Sequence, residues 1–276
     1  MRDRLSTGGL ISRVLVVIVG LIFTFPFIWM LSTSLKPSNE VFSTGTSLVA
    51  STLAWENYVT AFTSVPFMRF LLNGLIISTL GAALTAAVGV LSAYAFARLR
   101  FRFRDQLFLL FLGTLVLPQE VLVIPLYMMF RSAGLVDSYV ALVLPFAFGA
   151  FSAFLLRQFI MGIPTEYEEA AKVDGAGSFQ TFVRVILPLL KAPLSVVAVF
   201  AFVDYWNMFL WPLIIVNDTS MANVPLGLAM FSGERGTDWG PLMAASTLAV
   251  VPSVIIVVLL QKQLVQGINM SGFGGR

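Results

Sequence analysis

Residues 166–188 read EYEEAAKVDGAGSFQTFVRVILP. Glu166, Glu168, Glu169, Lys172, Asp174 and Arg184 all fall in this stretch, although only 11% of the 276 residues are charged and 58% are hydrophobic. Pro164, just upstream, suits a first helical turn, where its missing N–H has no partner to lose. The three glutamates then lie at the positive end of the helix dipole. Asp174-Gly175 is a strong turn signal. The stretch therefore predicts an elbow over 164–188. A helix carrying Ala170 and Ala171 comes first, then a turn, then a second helix over 178–186 that ends at Pro188. A solvated connector has no evident need for paired alanines and a fixed turn, so a surface built for close contact is the better reading.

Around the elbow the chain is apolar. Its charged fraction is far below the roughly 25% of soluble domains, and its mean hydropathy is +0.90. Six segments have the ~20 apolar residues that a spanning helix needs: 10–35, 70–97, 107–130, 138–162, 192–216 and 241–260. These predict an all-α integral membrane protein of six spans in a single domain over 1–276. Arg2 and Arg4 before the first segment also fit a signal peptide, but the run is long and no A-x-A-like cleavage site follows. The second span repeats small residues at Gly81, Thr85, Gly89, Ala93 and Ala97, a ridge that lets another helix approach, so the spans read as a packed bundle. Pro26, Pro118, Pro125, Pro145, Pro212 and Pro252 predict kinks.

Basic residues orient the spans, because cytoplasmic loops are enriched in Lys and Arg. With the N-terminus inside, Arg2, Arg4, Arg13, Arg98, Arg100, Arg102, Arg104, Arg157, Lys172, Arg184, Lys191, Lys262 and Arg276 are cytoplasmic. Lys36, Arg69, Arg131 and Arg235 are outside. Both termini and the elbow are then cytoplasmic. In the outer loop 36–69, Trp55, Tyr58, Val59 and Phe62 form a helical stripe suited to the membrane interface. The loop 217–240 is polar enough to reach an outside partner.

The composition also excludes chemistry. Without cysteine or histidine there are no disulfides, no zinc site of nitrogen or sulfur ligands, and no Ser-His or Cys-His pair. A net charge of +3 is too small to suggest nucleic acid. No metal or cofactor is expected, and no phosphate-cradling G-x-x-x-x-G-K-[ST] occurs. Acids within spans are functional candidates, and an Asp at a helix centre costs about 2.5–3.5 kcal/mol on insertion scales. Glu120 and Asp204 both lie near span centres. Tyr205, Trp206 and Asn207 surround Asp204, and Asn73 and Gln119 add polar groups. Aromatic faces with amide and carboxylate acceptors suit a sugar. Asp204 and Asn207 would serve equally well as interhelical hydrogen-bond partners. No Lys or Arg lies deep in any span, which favours a neutral or amino-bearing sugar, or a polyol, over a sugar phosphate. A proton-coupled secondary transporter using Glu120 and Asp204 is the alternative.

The sequence resembles the permease subunits of binding-protein-dependent ABC importers. Their hallmark is Glu-Ala-Ala, three residues, Gly, nine residues, Ile, one residue, Leu-Pro. Here Glu169-Ala170-Ala171, Gly175, Val185, Leu187 and Pro188 take those places, with Val for Ile. "TSLKPSNEVF", "WENYVTAF", "AYAFARLRFRFRDQLF", "YWNMFLWPLIIVN" and "LVQGINMSGFGG" extend the resemblance over nearly the whole chain, toward the second permease of maltose-type carbohydrate systems. The tail departs, ending Gly274-Gly275-Arg276 in place of a Lys-Gly pair. After Asn207, Met208 stands where an acid is frequent. The resemblance implies a type I ABC importer permease fold whose elbow is the coupling helix, with Glu168, Glu169, Ala170, Ala171, Asp174, Gly175 and Pro188 contacting an ATPase. It implies a homologous second permease, two ATP-binding subunits that use the ATP, an extracytoplasmic solute-binding protein, and a prokaryotic cytoplasmic membrane.

Overall fold

The computed structural model describes residues 7–42, 47–233 and 236–272, and the side chains of 12–42, 47–233 and 236–263. Arg2, Arg4, Arg235 and the 274–276 tail, used above for orientation and resemblance, lie outside the described residues. The helices in chain order are α1 (Thr7–Ser34), α2 (Glu56–Thr63), α3 (Phe67–Arg98), α4 (Arg104–Gly113), α5 (Gln119–Ser132), α6 (Tyr139–Val143), α7 (Ala150–Met161), α8 (Glu166–Val173), α9 (Ser178–Thr181), α10 (Leu187–Leu189), α11 (Lys191–Trp206), α12 (Leu210–Ile215), α13 (Val224–Ala229) and α14 (Trp239–Gly272). One small hairpin pairs Ser232 with Thr237. The chain divides into two compact units, Met1–Met68 with Gly227–Val251 and Arg69–Leu226 with Pro252–Arg276.

Three continuous stretches are long and apolar enough to cross a membrane: Ser12–Ser34, Phe67–Arg98 and Trp239–Gln263. The other expected spans are broken. Arg104–Val116 and Gln119–Ser132 meet at 99°, Tyr139–Phe146 and Ala150–Met161 at 50°, and Ser178–Leu189 and Lys191–Trp206 at 77°. Counting each bent pair as one span gives up to six.

Proline explains one of the breaks and adjoins another. Leu117 is extended, at φ −77° and ψ 120°, because the ring of Pro118 disfavours helical geometry in the residue before it. Pro145 sits in the 3-10 turn Leu144–Phe146 that separates α6 from α7. By contrast, Pro26, Pro125 and Pro252 are held inside continuous helices. The fifth span ends earlier than its hydropathy suggests. Its helix stops at Trp206, and Pro212 lies in the separate helix α12.

In the larger unit the small-residue ridge of α3 is a packing seam. A Cβ on Gly81 would stand 2.4 Å from the ring of Tyr205, and one on Gly89 would stand 2.8 Å from Ser152 Oγ. One apolar cluster gathers Ile77, Leu142, Tyr205, Trp211 and Ile215. A second gathers Val90, Leu156, Ile160, Ile186, Leu190 and Val197. The most apolar window of α1 has no residue buried within this chain.

In the smaller unit, Asn57 of α2 donates to the carbonyls of Ser34 and Lys36, both at 2.9 Å, which satisfies carbonyls freed at the end of α1. Lys36 is fully buried, yet its Nζ donates to Ser47 O at 2.5 Å and lies 5.2 Å from the Trp29 ring centre. The stripe of α2 divides: Trp55 is 62% and Val59 63% exposed, while the Tyr58 hydroxyl lies 2.8 Å from Ser34 Oγ and Phe62 packs edge-on against Phe67. The exposed pair suits a membrane interface.

Candidate functional site

The larger unit holds two features with chemical character, a cavity and the elbow. The cavity, of about 440 Å³, is lined from α11 by Val197, Phe200, Ala201 and Asp204 and from the break just past its end by Asn207 and Met208. The first four repeat at i, i+3, i+4 and i+7, one face of a helix. Thr85 of α3 and Ser152 of α7 complete the walls, and Leu115, Gln119, Phe146 and Gly149 come from the two proline-associated breaks. Three interruptions of the helical backbone thus border one cavity. Irregular backbone at membrane depth is tolerated where it is buried in protein or lines a wet space, and broken helices mark solute sites in many transporters. Asp204 is the one charged residue in the lining.

The structure sorts the sequence candidates. Asp204, Asn207 and Gln119 line the cavity. Glu120, expected at mid-span, sits exposed in the first turn of α5, directly after the break at Pro118, and does not line it. Asn73 is not in the lining either. It is buried and fully engaged, donating to Ser220 O at 2.9 Å and Ala222 O at 2.8 Å and accepting from the Tyr139 hydroxyl at 2.7 Å. It holds the segment before α13. Trp206 is buried, stacked on Phe202 with ring centres 6.0 Å apart, and packed against Gly74. Tyr205 reaches the cavity wall but is mainly a packing residue, its ring on Gly81 and its hydroxyl donating to Val143 O at 2.7 Å. Because Tyr205 and Trp206 point into protein, their neighbours Asp204 and Asn207 are left for the cavity. Asn207 Nδ2 also closes the end of α11 on Val203 O at 2.9 Å.

The elbow has a locked turn and two faces. Gly175 has φ +82°, a left-handed conformation that strains other residues. Its N–H donates to Lys172 O at 3.0 Å, and that of Ala176 donates to Ala171 O at 2.9 Å. This paired arrangement is the Schellman helix stop. The inner face is tied down. Glu168 is buried, its Oε1 2.5 Å from Arg98 Nε at the end of α3. A second Arg98 nitrogen donates to Ile160 O at 2.9 Å and Ile163 O at 2.5 Å. Phe182, Ile186 and Leu190 continue the anchoring in the apolar cluster with Val90 and Leu156. The outer face is free, with Tyr167, Glu169, Ala170, Lys172, Asp174 and Pro188 exposed. Val173 is 88% and Phe179 78% exposed.

Arg98 is the residue that sequence reasoning missed. In the sequence it is one positive-inside charge among many. The signal available was the match between a basic residue ending one long helix and a run of three glutamates.

Comparison with known proteins agrees with this arrangement. The chain is 34% identical over 265 residues to the sn-glycerol-3-phosphate transport system permease protein UgpE of Yersinia pestis, covering 93% of this chain and 94% of that one. It is 31% identical over 260 residues to the arabinooligosaccharides transport system permease protein AraQ of Halalkalibacterium halodurans, covering 93% of each. Among solved structures, a chain of a bacterial ABC transporter involved in importing the acidic polysaccharide alginate superposes with a TM-score of 0.81 at 21% identity, over 94% of this chain and 96% of that one. This likeness shows the same fold. Nothing in these matches supports a proton-driven transporter. Residues 85–270, which hold both the cavity and the elbow, match the family described as binding-protein-dependent transport system inner membrane component, and the chain belongs to that family.

Proposed function

We propose that the chain is the membrane-spanning permease subunit of an ABC importer that passes a sugar, amino sugar or polyol into the cytoplasm of a prokaryote. It lies in the cytoplasmic membrane with both termini and the elbow inside. A homologous permease completes the pathway, two ATP-binding subunits dock below and supply the energy, and an extracytoplasmic solute-binding protein delivers the solute. The observation that carries this reading is the elbow. Val173 and Phe179 stand exposed beside a Schellman-locked turn whose inner face is ion-paired to α3. Apolar side chains presented to water on a rigid, anchored helix suit a docking surface, and the anchor lets movement of the docked partner reach a helix that lines the cavity.

The cavity supports the solute class. Its polar groups are amides and hydroxyls around a single carboxylate, with no cation in the lining. Phosphate recognition favours a cation, of which the lining has none; the starts of α5 and α7 at Gln119 and Gly149 are the helix N-termini beside it. One relative is named for a phosphorylated polyol and another for arabinooligosaccharides, so the names alone do not choose between them.

The test is ATP-driven uptake in vesicles holding the whole transporter, comparing the native chain with Glu169→Lys and Gly175→Trp. Both variants should assemble in the membrane yet lose ATPase contact and transport. Uptake that survives both, without ATP, would overturn the importer reading. Offering a neutral sugar against its phosphate ester tests the solute class separately, and preference for the ester would reject it.

A further inference from the structure

Between α3 and α4 runs Leu99-Arg100-Phe101-Arg102-Phe103, followed by Arg104, in which apolar and basic side chains alternate. Neither the cavity nor the elbow uses this strap. It has no helical structure over 99–103, and all five side chains are exposed. Leu99, Phe101 and Phe103 are 43%, 41% and 56% exposed. On one side α3 arrives from a span. On the other α4 departs with Leu109 and Leu110 more than two-thirds exposed, at 71% and 72%. A strap between two such helices lies where hydrocarbon gives way to headgroups.

An open cleft of about 380 Å³ forms there, lined by Arg100, Phe101, Phe103, Arg104, Asp105 and Gln106. Its one acid is already engaged: Asp105 Oδ1 stands 3.2 Å from Arg104 Nε and 3.6 Å from Arg157 Nη2. Arg98 is committed to Glu168. Arg102 lies over the Phe103 ring at 4.7 Å. Among the described residues, neither Arg100 nor Arg102 has a carboxylate within ion-pairing distance.

We propose that this strap binds an anionic phospholipid, with Arg100 and Arg102 on the headgroup phosphate and Leu99, Phe101 and Phe103 in the acyl boundary. An acidic protein surface would also attract the arginines. It would not call for exposed phenylalanines interleaved with them, whereas a headgroup lying over hydrocarbon does. The proposal rests on the membrane-spanning reading of α3 and α4 and not on the solute.

The test is native mass spectrometry of the whole transporter taken from bilayers of phosphatidylcholine with phosphatidylglycerol, comparing the native chain with Arg100→Gln/Arg102→Gln. The native complex should retain phosphatidylglycerol. The double variant should bind it roughly thirtyfold more weakly, given about 1 kcal/mol per basic residue at an anionic surface. Equal retention would overturn the proposal. So would displacement of the lipid by inorganic phosphate, which would mark a site for a soluble anion. Undiminished lipid with loss of the ATP-binding subunits would reassign the strap to protein contact. Lipid retention is read without transport, so its failure leaves the importer reading standing.

Discussion

The elbow and the cavity handle buried charge in opposite ways. At the elbow, Glu168 and Arg98 have side chains only 11% and 13% exposed and stand 2.5 Å apart, and the arginine also caps two carbonyls at the end of α7. In the cavity, Asp204 is exposed to the void with no cation in the lining. The first is charge used as a strut, since neither partner can separate without leaving an ion desolvated. The second leaves a carboxylate open for a donor from the solute. Within one larger unit, one charge is closed and the other open, which on the proposed function suits the first to force and the second to recognition.

The largest effect should come from breaking the strut. Glu168→Ala strands the Arg98 guanidinium and should destabilise the protein by about 3–5 kcal/mol, read as a lower unfolding midpoint of the solubilised transporter. Replacing both partners, Arg98→Met with Glu168→Met, should recover most of that loss, because a well-packed apolar pair can substitute for a buried ion pair. If the double variant is stable yet hydrolyses ATP without moving solute, the strut transmits force. If it transports normally, the strut is only packing.

Next in size is Gly81→Ala. The added methyl meets a tyrosine ring fixed by its bond to Val143 O, so the ring cannot easily yield, and the cost should be about 1–3 kcal/mol in the same assay. Gly175→Ala should cost less, about 1–2 kcal/mol, since a Cβ there meets nothing and only the φ of +82° objects. Gly175→Trp shares that strain and also covers the outer face, so a greater loss of ATPase contact than for Gly175→Ala would separate docking from folding. Asp204→Asn should leave stability within about 0.5 kcal/mol. It should also weaken uptake of an amino-bearing solute about tenfold or more, the value of a hydrogen bond to a charged group. Unchanged uptake would mean that the open carboxylate is not a recognition group.

Legibility differed between the same two regions. The elbow was readable because its determinants are local: a proline, three glutamates at a helix start, and an Asp-Gly turn act over a few residues. The stripe of α2 and the small-residue ridge of α3 were readable for the same reason, as periodic patterns on one helix. The cavity was readable only in part. Asp204, Asn207 and Gln119 were found, but Glu120 lies about 100° round the helix from Gln119 and off the lining, and both follow a 99° bend. Hydropathy averages over such a bend and reports one straight span. Asn73 and Trp206 look like polar and aromatic lining in the sequence, and their packing roles depend on partners 66 or more residues away for Asn73 and on Gly74 for Trp206.

The sequence by itself determined that this chain is helical and apolar, how many segments are greasy enough to cross a membrane, and where its charged elbow turns. Those properties depend on composition, on helical period and on the conformational limits of proline and glycine, all of which act over short range. Only the tertiary structure decided which acids are paired and which are open, and which span breaks converge on one cavity. It also made Arg98 a strut and not merely a positive charge at a helix end. Each of these depends on the distance between residues far apart in sequence, and burial then fixes whether a charge must have a partner or is free to receive one.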